Sequence, residues 1–590
     1  MKGRSAMNSS ENHTAEHEVD LLVVGSGTGL AAALTAAEAG LSVLVVEKSE
    51  YVGGSTARSG GAFWVPGNFL LRERQPADDA RAAAAYVEAV VGDSAPQERG
   101  AAFLEHGPAA VEMLARTTPM TFMWADGYSD YHPELPGGSA AGRTCECKPF
   151  DASRLGAHRS RLRPGVMEAS GLPMPVTGAD YKWLNLIART PRKALWRGMK
   201  AMAIGVGGLV LKREYIAGGQ ALAAGLFAGA IRAGIPIWTD TSLVRLLVGE
   251  DGAVTGAVVD RDGVRTEVTA RRGVVLAAGG FDHDTEMRRK YQSDRLVEHA
   301  SLGCETNTGD AITVAREAGA AIGLMDQAWW FPAVAALPGG QPAVLLAERA
   351  LPGSFIVDQS GRRFVNEATD YMSFGQRVLE RERAGDPVEQ MWLVFDQRYR
   401  NSYIFAAGLF PRQPLPRPWY DNGIAATATD PAGLARAMGV PADAFAATFD
   451  SFNASAQLGV DHEFARGASA YDRYYGDPTI GPNPNLRPLG RKGPLYAVKL
   501  VLSDLGTCGG VRADGSARVL REDGSVIEGL YAIGNTAANA FGNTYPGAGA
   551  TIGQGLVFGY IAAKTAAAAA GDRRQPGSHH GLPINSPAIR

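Results

Sequence analysis

The sequence predicts an α/β protein: a Rossmann-like dinucleotide-binding domain completed by N- and C-terminal segments, with an α+β domain inserted between them. Three observations carry this reading. A strand–glycine turn–helix–strand pattern occupies residues 20–48. A second glycine-rich turn feeds a long helix within 542–567. Between them, from about 326 to 488, the composition changes to aromatic sequence in which helical and strand-like runs alternate.

The first pattern reads DLLVVGSGTGLAAALTAAEAGLSVLVVEK. Leu21 to Val24 is an apolar run of buried-strand length, and Val43 to Val46 is a second that ends on Glu47 and Lys48. Gly25 suits the tight turn, and Gly27 lets backbone approach a pyrophosphate. The helix N-terminus faces the phosphates, and Glu47 stands about twenty residues on, where an acidic side chain accepts bonds from a ribose. One departure is Leu30 at the usual third glycine position. Close helix–sheet contact must then rest on Gly29 and the small Ala31 and Ala32.

A chain of 590 residues needs more than one core. With 45% apolar residues and a formal net charge of -3, it is globular and gives no reason to expect a nucleic-acid partner. The four cysteines are Cys145, Cys147, Cys304 and Cys508. Their spacing fits neither a redox pair nor a zinc site, so no metal is expected. Residues 1–18 are polar and lack a signal-peptide core, which reads as a disordered leader. Residues 572–590 read as a flexible tail. The expected location is cytoplasmic. Ala203 to Leu211 is apolar but too short to span a bilayer. Basic residues flank it across 189–213, which leaves two readings: a buried or substrate-channel helix with a basic rim, or a patch resting peripherally on membrane.

Taken in order, YVGGSTARSGG follows the first unit and places Gly53, Gly54, Ser55, Thr56, Gly60 and Gly61 where backbone amides and small hydroxyls meet a diphosphate and ring. Residues 76–115 read as helices, and residues 135–190 read as irregular surface structure. A helix near 219–234 leads into a β-meander with turns at Asp251-Gly252 and Asp262-Gly263. GVVLAAGG (273–280) returns a strand and glycine turn to the nucleotide sheet, bringing Ala278, Gly279 and Gly280 to the cofactor. Thr308 or Asp310 caps the next helix, and Asp310, like Lys48, is a candidate cofactor-binding residue. Near the C-terminus, Gly534, Asn535, Thr551 and Ile552 flank the last glycine turn and the helix it opens.

A nicotinamide enzyme needs neither the second nor the last glycine segment. Together they point to a resident flavin, and no residue pattern demands covalent attachment, so noncovalent FAD is expected. The FAD-binding domain is thus 19–325 together with 489–571, and the inserted α+β catalytic domain is 326–488.

The chain resembles the 3-ketosteroid Δ1-dehydrogenases, within the wider group of fumarate reductase flavoproteins. The likeness runs from about residue 18 to 570. Its most specific marks are GYSDYHPE (127–134), AWWFP (328–332), LAERALPGSFIVDQSGRRFVNEA (346–368), SDLGTCGG (503–510) and TYPGAGATIG (544–553). The resemblance implies an apolar 3-ketosteroid substrate enclosed between the two domains, and an electron acceptor of quinone or dye-like chemistry. It implies that Tyr545 and the amide of Gly549 bind the 3-keto oxygen, and that Tyr371 is the base at C2. Tyr131 supports that base, with Tyr128 as competitor.

The residue chemistry agrees. Desaturation beside an enone needs a proton acceptor on one carbon and a hydride acceptor on its neighbour, with donors that strengthen as enolate charge develops. A tyrosine, with an intrinsic pKa near ~10, is a feeble base unless its surroundings lower that value. Trp124, Trp329, Trp330 and Phe331 line an apolar slot or pack a core; sequence leaves both readings open. His132 reads as a local structural partner. Three other functions compete: a 3-ketosteroid Δ4-(5α)-dehydrogenase, a fumarate-reductase-like flavoprotein drawing on Arg362 or Arg363, and a flavin electron-transfer protein without its own substrate. The intact Tyr545-to-Gly549 spacing argues for the Δ1 rather than the Δ4 position, and the apolar Trp330-Phe331-Pro332 would solvate a dicarboxylate poorly.

Overall fold

The structure is a computed structural model that describes residues 15–75, 79–165, 174–298, 300–406 and 408–569. The expected tail at 572–590 and most of the expected leader, residues 1–14, lie outside the described residues. The rest of the leader corrects expectation. Ala15–Val19 forms a strand parallel to Val264–Ala270, extending the meander Thr241–Val248, Val254–Arg261 and Val264–Ala270 to four strands.

The nucleotide sheet has six strands in the order Arg518–Leu520, Val526–Ala532, Val274–Leu276, Leu21–Val24, Val43–Val46, Ile237–Trp238. All neighbours are parallel except the first pair, so strands from both ends of the chain lie in one sheet. Strand alternation separates its two faces. Leu21, Val23, Val43 and Val45 pack on the helical side, where Gly29–Glu38 lies against the C-terminal helix Ala550–Ala568. Leu22, Val24, Leu44 and Val46 pack on the four-stranded sheet. The two helices approach closely because residue 559 is glycine: a Cβ there would sit 3.1 Å from the Ala32 nitrogen.

A second, antiparallel sheet runs Ala343–Val344, Ala328–Val334, Leu495–Thr507, Met391–Asp396, Ser354–Asp358, with Ala425–Ala428 also paired to Leu495–Thr507. Helices Pro431–Met438 and Ala442–Leu458 cover one of its faces. The strand Leu495–Thr507 is its centre, although sequence assigned 489–571 to the FAD-binding domain. That boundary therefore falls too early by this pairing.

Residues 135–190 are also less irregular than expected. Thr144–Cys147 is a fully buried strand between Ala62–Trp64 and Phe122–Trp124. Its central Glu146 turns to the N-terminus of helix Gly178–Asn185, where the Ala179 amide donates to it at 3.4 Å. Burial pushes that carboxyl up to about 7. The helix Pro191–Val210 follows, and the buried-helix reading of 203–211 fails. Trp196 and Leu211 are each 67% exposed and Val210 is 78% exposed. Among the described residues no helix is long and apolar enough to cross a membrane.

Candidate active site

Gly25 adopts φ +107°, and a Cβ there would sit 2.2 Å from the Ala277 carbonyl oxygen. The first glycine turn is thereby pressed against the turn that carries Ala278, Gly279 and Gly280. Gly29 takes the close-contact role left open by Leu30, since its Cβ would lie 3.0 Å from both Ala277 and Val23 side chains. A Cβ on Gly27 would meet the Thr56 hydroxyl at 3.2 Å, and one on Gly54 would meet only the Gly27 Cα, at 4.0 Å. Gly60 has nothing within 4 Å of that position, while Gly61, at φ +76°, abuts Gly218. These turns leave an open cradle of backbone beside the N-terminus of Gly29–Glu38, and the residues fit a dinucleotide diphosphate.

Glu47 is buried and already engaged. Its Oε2 accepts from the Ser26 amide at 2.9 Å and the Ser26 hydroxyl at 2.6 Å, and its Oε1 from the Ser49 amide at 3.0 Å. Ser26 Oγ in turn accepts from the Gly53 amide at 3.0 Å, so Glu47 ties the first glycine segment to the second. Oε1 accepts this single bond and retains capacity for one more. Lys48 and Asp310 are paired with each other at 2.6 Å, and Lys48 also donates to Thr308. Ser55 Oγ accepts from the Cys304 amide at 2.9 Å and Asn307 Nδ2 at 3.0 Å, which leaves its own hydrogen to donate outward.

Sequence reasoning missed several neighbours of this cradle. Arg163 donates to Ser49 Oγ at 2.6 Å and to Glu305, and Arg58, closing the short helix Gly54–Arg58, also pairs with Glu305. Arg58 lay within the quoted glycine segment and was within reach. Arg163 and Asn307 carry no spacing signal, because they arrive from loops distant in the chain.

At the opposite end, Gly534 has φ +57°, and Asn535 Oδ1 accepts from Trp329 Nε1 and Thr551 Oγ1, both at 3.1 Å. Ile552 is buried one residue on. Gly549 caps the last helix at φ +88°, and a Cβ there would sit 2.3 Å from the Ala62 carbonyl oxygen. Its amide points at Tyr545 Oη over a long 3.3 Å, so the two groups converge on one spot.

Three tyrosines from distant segments meet there. The ring centroids of Tyr131 and Tyr545 are 5.1 Å apart, those of Tyr371 and Tyr545 5.4 Å, and those of Tyr131 and Tyr371 5.5 Å. Tyr371 opens helix Tyr371–Arg383, whose cap Asp370 accepts from the Ser373 amide. Tyr131 is fixed by its own amide, which donates to the Pro546 carbonyl at 3.0 Å. Beside it, Asp130 is held by Trp64 Nε1 and Arg143. The Tyr131 hydroxyl is buried with no well-formed hydrogen bond. Tyr128 stacks on Tyr474 at 4.4 Å and accepts from the Tyr475 hydroxyl at 2.8 Å, and it also lies close enough to act electrostatically on Tyr131 and Tyr371. His132 Nε2 stands 3.9 Å from Asp370.

Burial dominates the electrostatics. It raises Tyr371 well above an ordinary phenol, an effect reinforced by Tyr545 and Tyr128 and opposed by the nearby Tyr131 hydroxyl. It pushes Tyr545 up to about 12, against the Tyr371 hydroxyl and the Gly549 and Thr551 amides. Tyr545 is therefore a secure donor. The protein alone does not lower Tyr371, contrary to what a tyrosine base was expected to require.

Strand alternation divides the aromatic segment. Trp329 packs on Tyr545 at 4.6 Å and Phe331 on Tyr371 at 4.9 Å. Trp330 points the other way, against Gly375, where a Cβ would lie 2.1 Å from its own. Trp124 is half-buried and donates to the Gly142 carbonyl. Arg363 is locked between Glu367 and Asp461, both at 2.7 Å, and is buried with them, whereas Arg362 is exposed.

The sequence matches the FAD binding domain family over residues 20–552. It is 46% identical over 567 residues to a 3-oxosteroid 1-dehydrogenase of Mycobacterium tuberculosis (strain ATCC 25618 / H37Rv), covering 94% of this chain and 99% of that one. It is 44% identical over 570 residues to the protein of the same name from Mycolicibacterium smegmatis (strain ATCC 700084 / mc(2)155), covering 95% and 99%. Among solved structures it is similar to the 3-ketosteroid delta1-dehydrogenase from Sterolibacterium denitrificans in complex with 1,4-androstadiene-3,17-dione. That match has a TM-score of 0.88 and 37% identity and covers 94% of this chain and all of the other.

Proposed function

The chain belongs to the 3-oxosteroid 1-dehydrogenase family of FAD-dependent oxidoreductases, and from that premise we propose that it converts 3-keto-4-ene steroids to 3-keto-1,4-dienes. FAD, when bound, supplies the acceptor for the C1 hydride. The Tyr545 hydroxyl and the Gly549 amide donate to the 3-keto oxygen, and their bonds strengthen as charge develops there. The Tyr371 phenolate takes the C2 proton and becomes a neutral phenol, and the adjacent Tyr131 hydroxyl steadies the phenolate before that transfer. Trp329 and Phe331 exclude water from the polarised ketone. The observation that carries this reading is the mutual contact of Tyr131, Tyr371 and Tyr545 around the Gly549 amide.

Arg363, the cation that favoured a dicarboxylate substrate, is spent in buried ion pairs, and the segment beside the tyrosines is apolar. A panel of a 3-keto-4-ene steroid, a saturated 3-ketosteroid and fumarate, each with a dye acceptor, tests the reading. The 4-ene steroid should be turned over fastest. Faster turnover of the saturated steroid to a 4-ene product would transfer the assignment to the Δ4 reaction.

The FAD is held noncovalently, through glycine turns and hydrogen bonds. Purified protein should be yellow, and acid precipitation should leave the flavin in the supernatant. Flavin that stays with the pellet after denaturation would contradict this.

The exposed face of Pro191–Val210 is proposed to rest on membrane and to gather the poorly soluble substrate, with a quinone-like acceptor drawn from the same phase. Trp196, Leu209 and Val210 are exposed there, beside Arg192, Lys193 and Lys200. The protein should float with anionic liposomes at low salt, and serine at Val206, Leu209 and Leu211 should weaken flotation without changing the flavin spectrum. Absence of wild-type protein from the lipid fraction would remove membrane contact from the scheme.

A further inference from the structure

Behind the cofactor cradle, two aspartates share one buried network. Asp282 lies two residues beyond Gly280 and is 2% exposed; Asp504, in the central strand of the second sheet, is fully buried. The Ser301 hydroxyl bridges them, 2.6 Å from Asp504 Oδ1 and 3.3 Å from Asp282 Oδ2. Asn307 Nδ2 reaches both oxygens of Asp282 at 3.2 Å and Ser55 Oγ at 3.0 Å. Arg288 donates to Asp504 Oδ2 and, at 3.1 Å, to the Asp282 carbonyl. The Gly506 amide completes the shell on Asp504 Oδ1 at 2.9 Å. A Cβ on Gly506 would lie 2.7 Å from Asn535 Nδ2. The pair thus backs directly onto Ser55, Gly280 and Asn535.

Two carboxylates against one guanidinium leave a negative charge over, in a place that solvates charge poorly. A single proton held between them removes it. Burial first, and then Asp504, push Asp282 up to about 7, so this proton is gained or lost near neutral pH. The network also has an outlet. His283, with its side chain 9% exposed, lines a surface cleft with Asp282, Thr285 and Arg288, and its Nε2 is 3.9 Å from Asp282 Oδ2 with no hydrogen-bond partner. Burial lowers the imidazole pKa against the pull of Asp504 and Glu305, which suits a neutral ring that passes protons on.

We propose that Asp282 and Asp504 form a redox-linked proton site: the pair takes up one proton through His283 when reduction places negative charge on the flavin, and releases it on reoxidation. The proton comes from solvent in the cleft and forms an O–H bond on the Asp282 carboxylate. No electron passes to the pair. The role is electrostatic compensation of the cofactor, distinct from proton removal by Tyr371, and it rests on the assignment of Ser55, Gly280 and Asn535 to the flavin side.

The test uses holoenzyme reduced by dithionite, so that it does not depend on steroid chemistry. Redox-difference infrared spectra in H2O and D2O should show a protonated-carboxyl band that appears on reduction and shifts in D2O. Asp282→Asn should abolish the band, and proton uptake per flavin near neutral pH, followed with an indicator dye, should fall below that of wild type. His283→Gln should keep the band but slow its appearance. Reduced wild-type flavin with no carboxyl change from mildly acidic to mildly alkaline pH overturns the proposal, as does a band that survives in both Asp282→Asn and Asp504→Asn. Should those variants lose FAD, wild-type uptake that is the same at every pH is the overturning result. Protein that carries no reducible flavin at all faults the cofactor reading instead.

Discussion

Tyr545→Phe should lower turnover about 100-fold while leaving the flavin spectrum and content unchanged. One preorganised donor to a developing oxyanion is worth roughly 3 kcal/mol, and that is the size of the expected loss. The substitution is mild in packing terms. Tyr545 is 2% exposed, with its ring against Tyr131, Tyr371 and Trp329, and phenylalanine keeps all three contacts. What it removes is the hydroxyl on which the Gly549 amide converges. The loss should appear in kcat and in kcat/KM together, because the donor acts on charge present mainly in the transition state. Turnover within a few-fold of wild type on the best steroid would show that the ketone is held elsewhere.

Tyr371→Phe should abolish most activity by a different route. Removing a positioned general base typically lowers the rate about 10²- to 10⁴-fold. Steroid affinity should change little, since Tyr545 and Gly549 still hold the ketone, but exchange of the C2 hydrogens with solvent should fall with turnover. The pH dependence follows from the same residue. The form that accepts a proton is the phenolate, and burial holds Tyr371 above the ordinary phenol value of about 10. Wild-type kcat/KM should therefore be lost as pH falls and should rise through the neutral and mildly alkaline range. Tyr545, pushed up to about 12, remains a donor throughout that window. In Tyr371→Phe the rise should flatten. Undiminished C2 exchange, or an unchanged pH profile, would assign the base to another group.

How much of this was legible depended on whether a residue's role was set by its neighbours in sequence. The turn at Gly25 and the close contact at Gly29 follow from local spacing, and the strand Val274–Leu276 announces its return to the nucleotide sheet by its apolar run and the glycine turn after it. Glu47 was found by the same spacing, but not its hold on Ser26 and Ser49, because such bonds depend on where a turn folds back. The sheet to which Leu495–Thr507 belongs could not be read, since an apolar strand carries no mark of its partners. Thr144–Cys147 was missed for a related reason. A charged residue in its centre looks like a loop until Glu146 is seen turned to a helix N-terminus. The tyrosine cluster is the extreme case. Its members lie 240 and 174 residues apart along the chain, and neither period nor spacing joins them. Only the resemblance suggested Tyr131, Tyr371 and Tyr545, with Tyr128 as a rival three residues away that also contacts Tyr474 and Tyr475.

Anaerobic titration of the yellow protein with a 3-keto-4-ene steroid tests the central claim most directly, because it isolates a single transfer from steroid to flavin. The flavin absorbance should bleach in proportion to steroid added, and the product recovered from the same cuvette should carry its new double bond at C1–C2. A flavin that stays oxidised under excess steroid, or bleaching that yields a double bond at any other position, would contradict it.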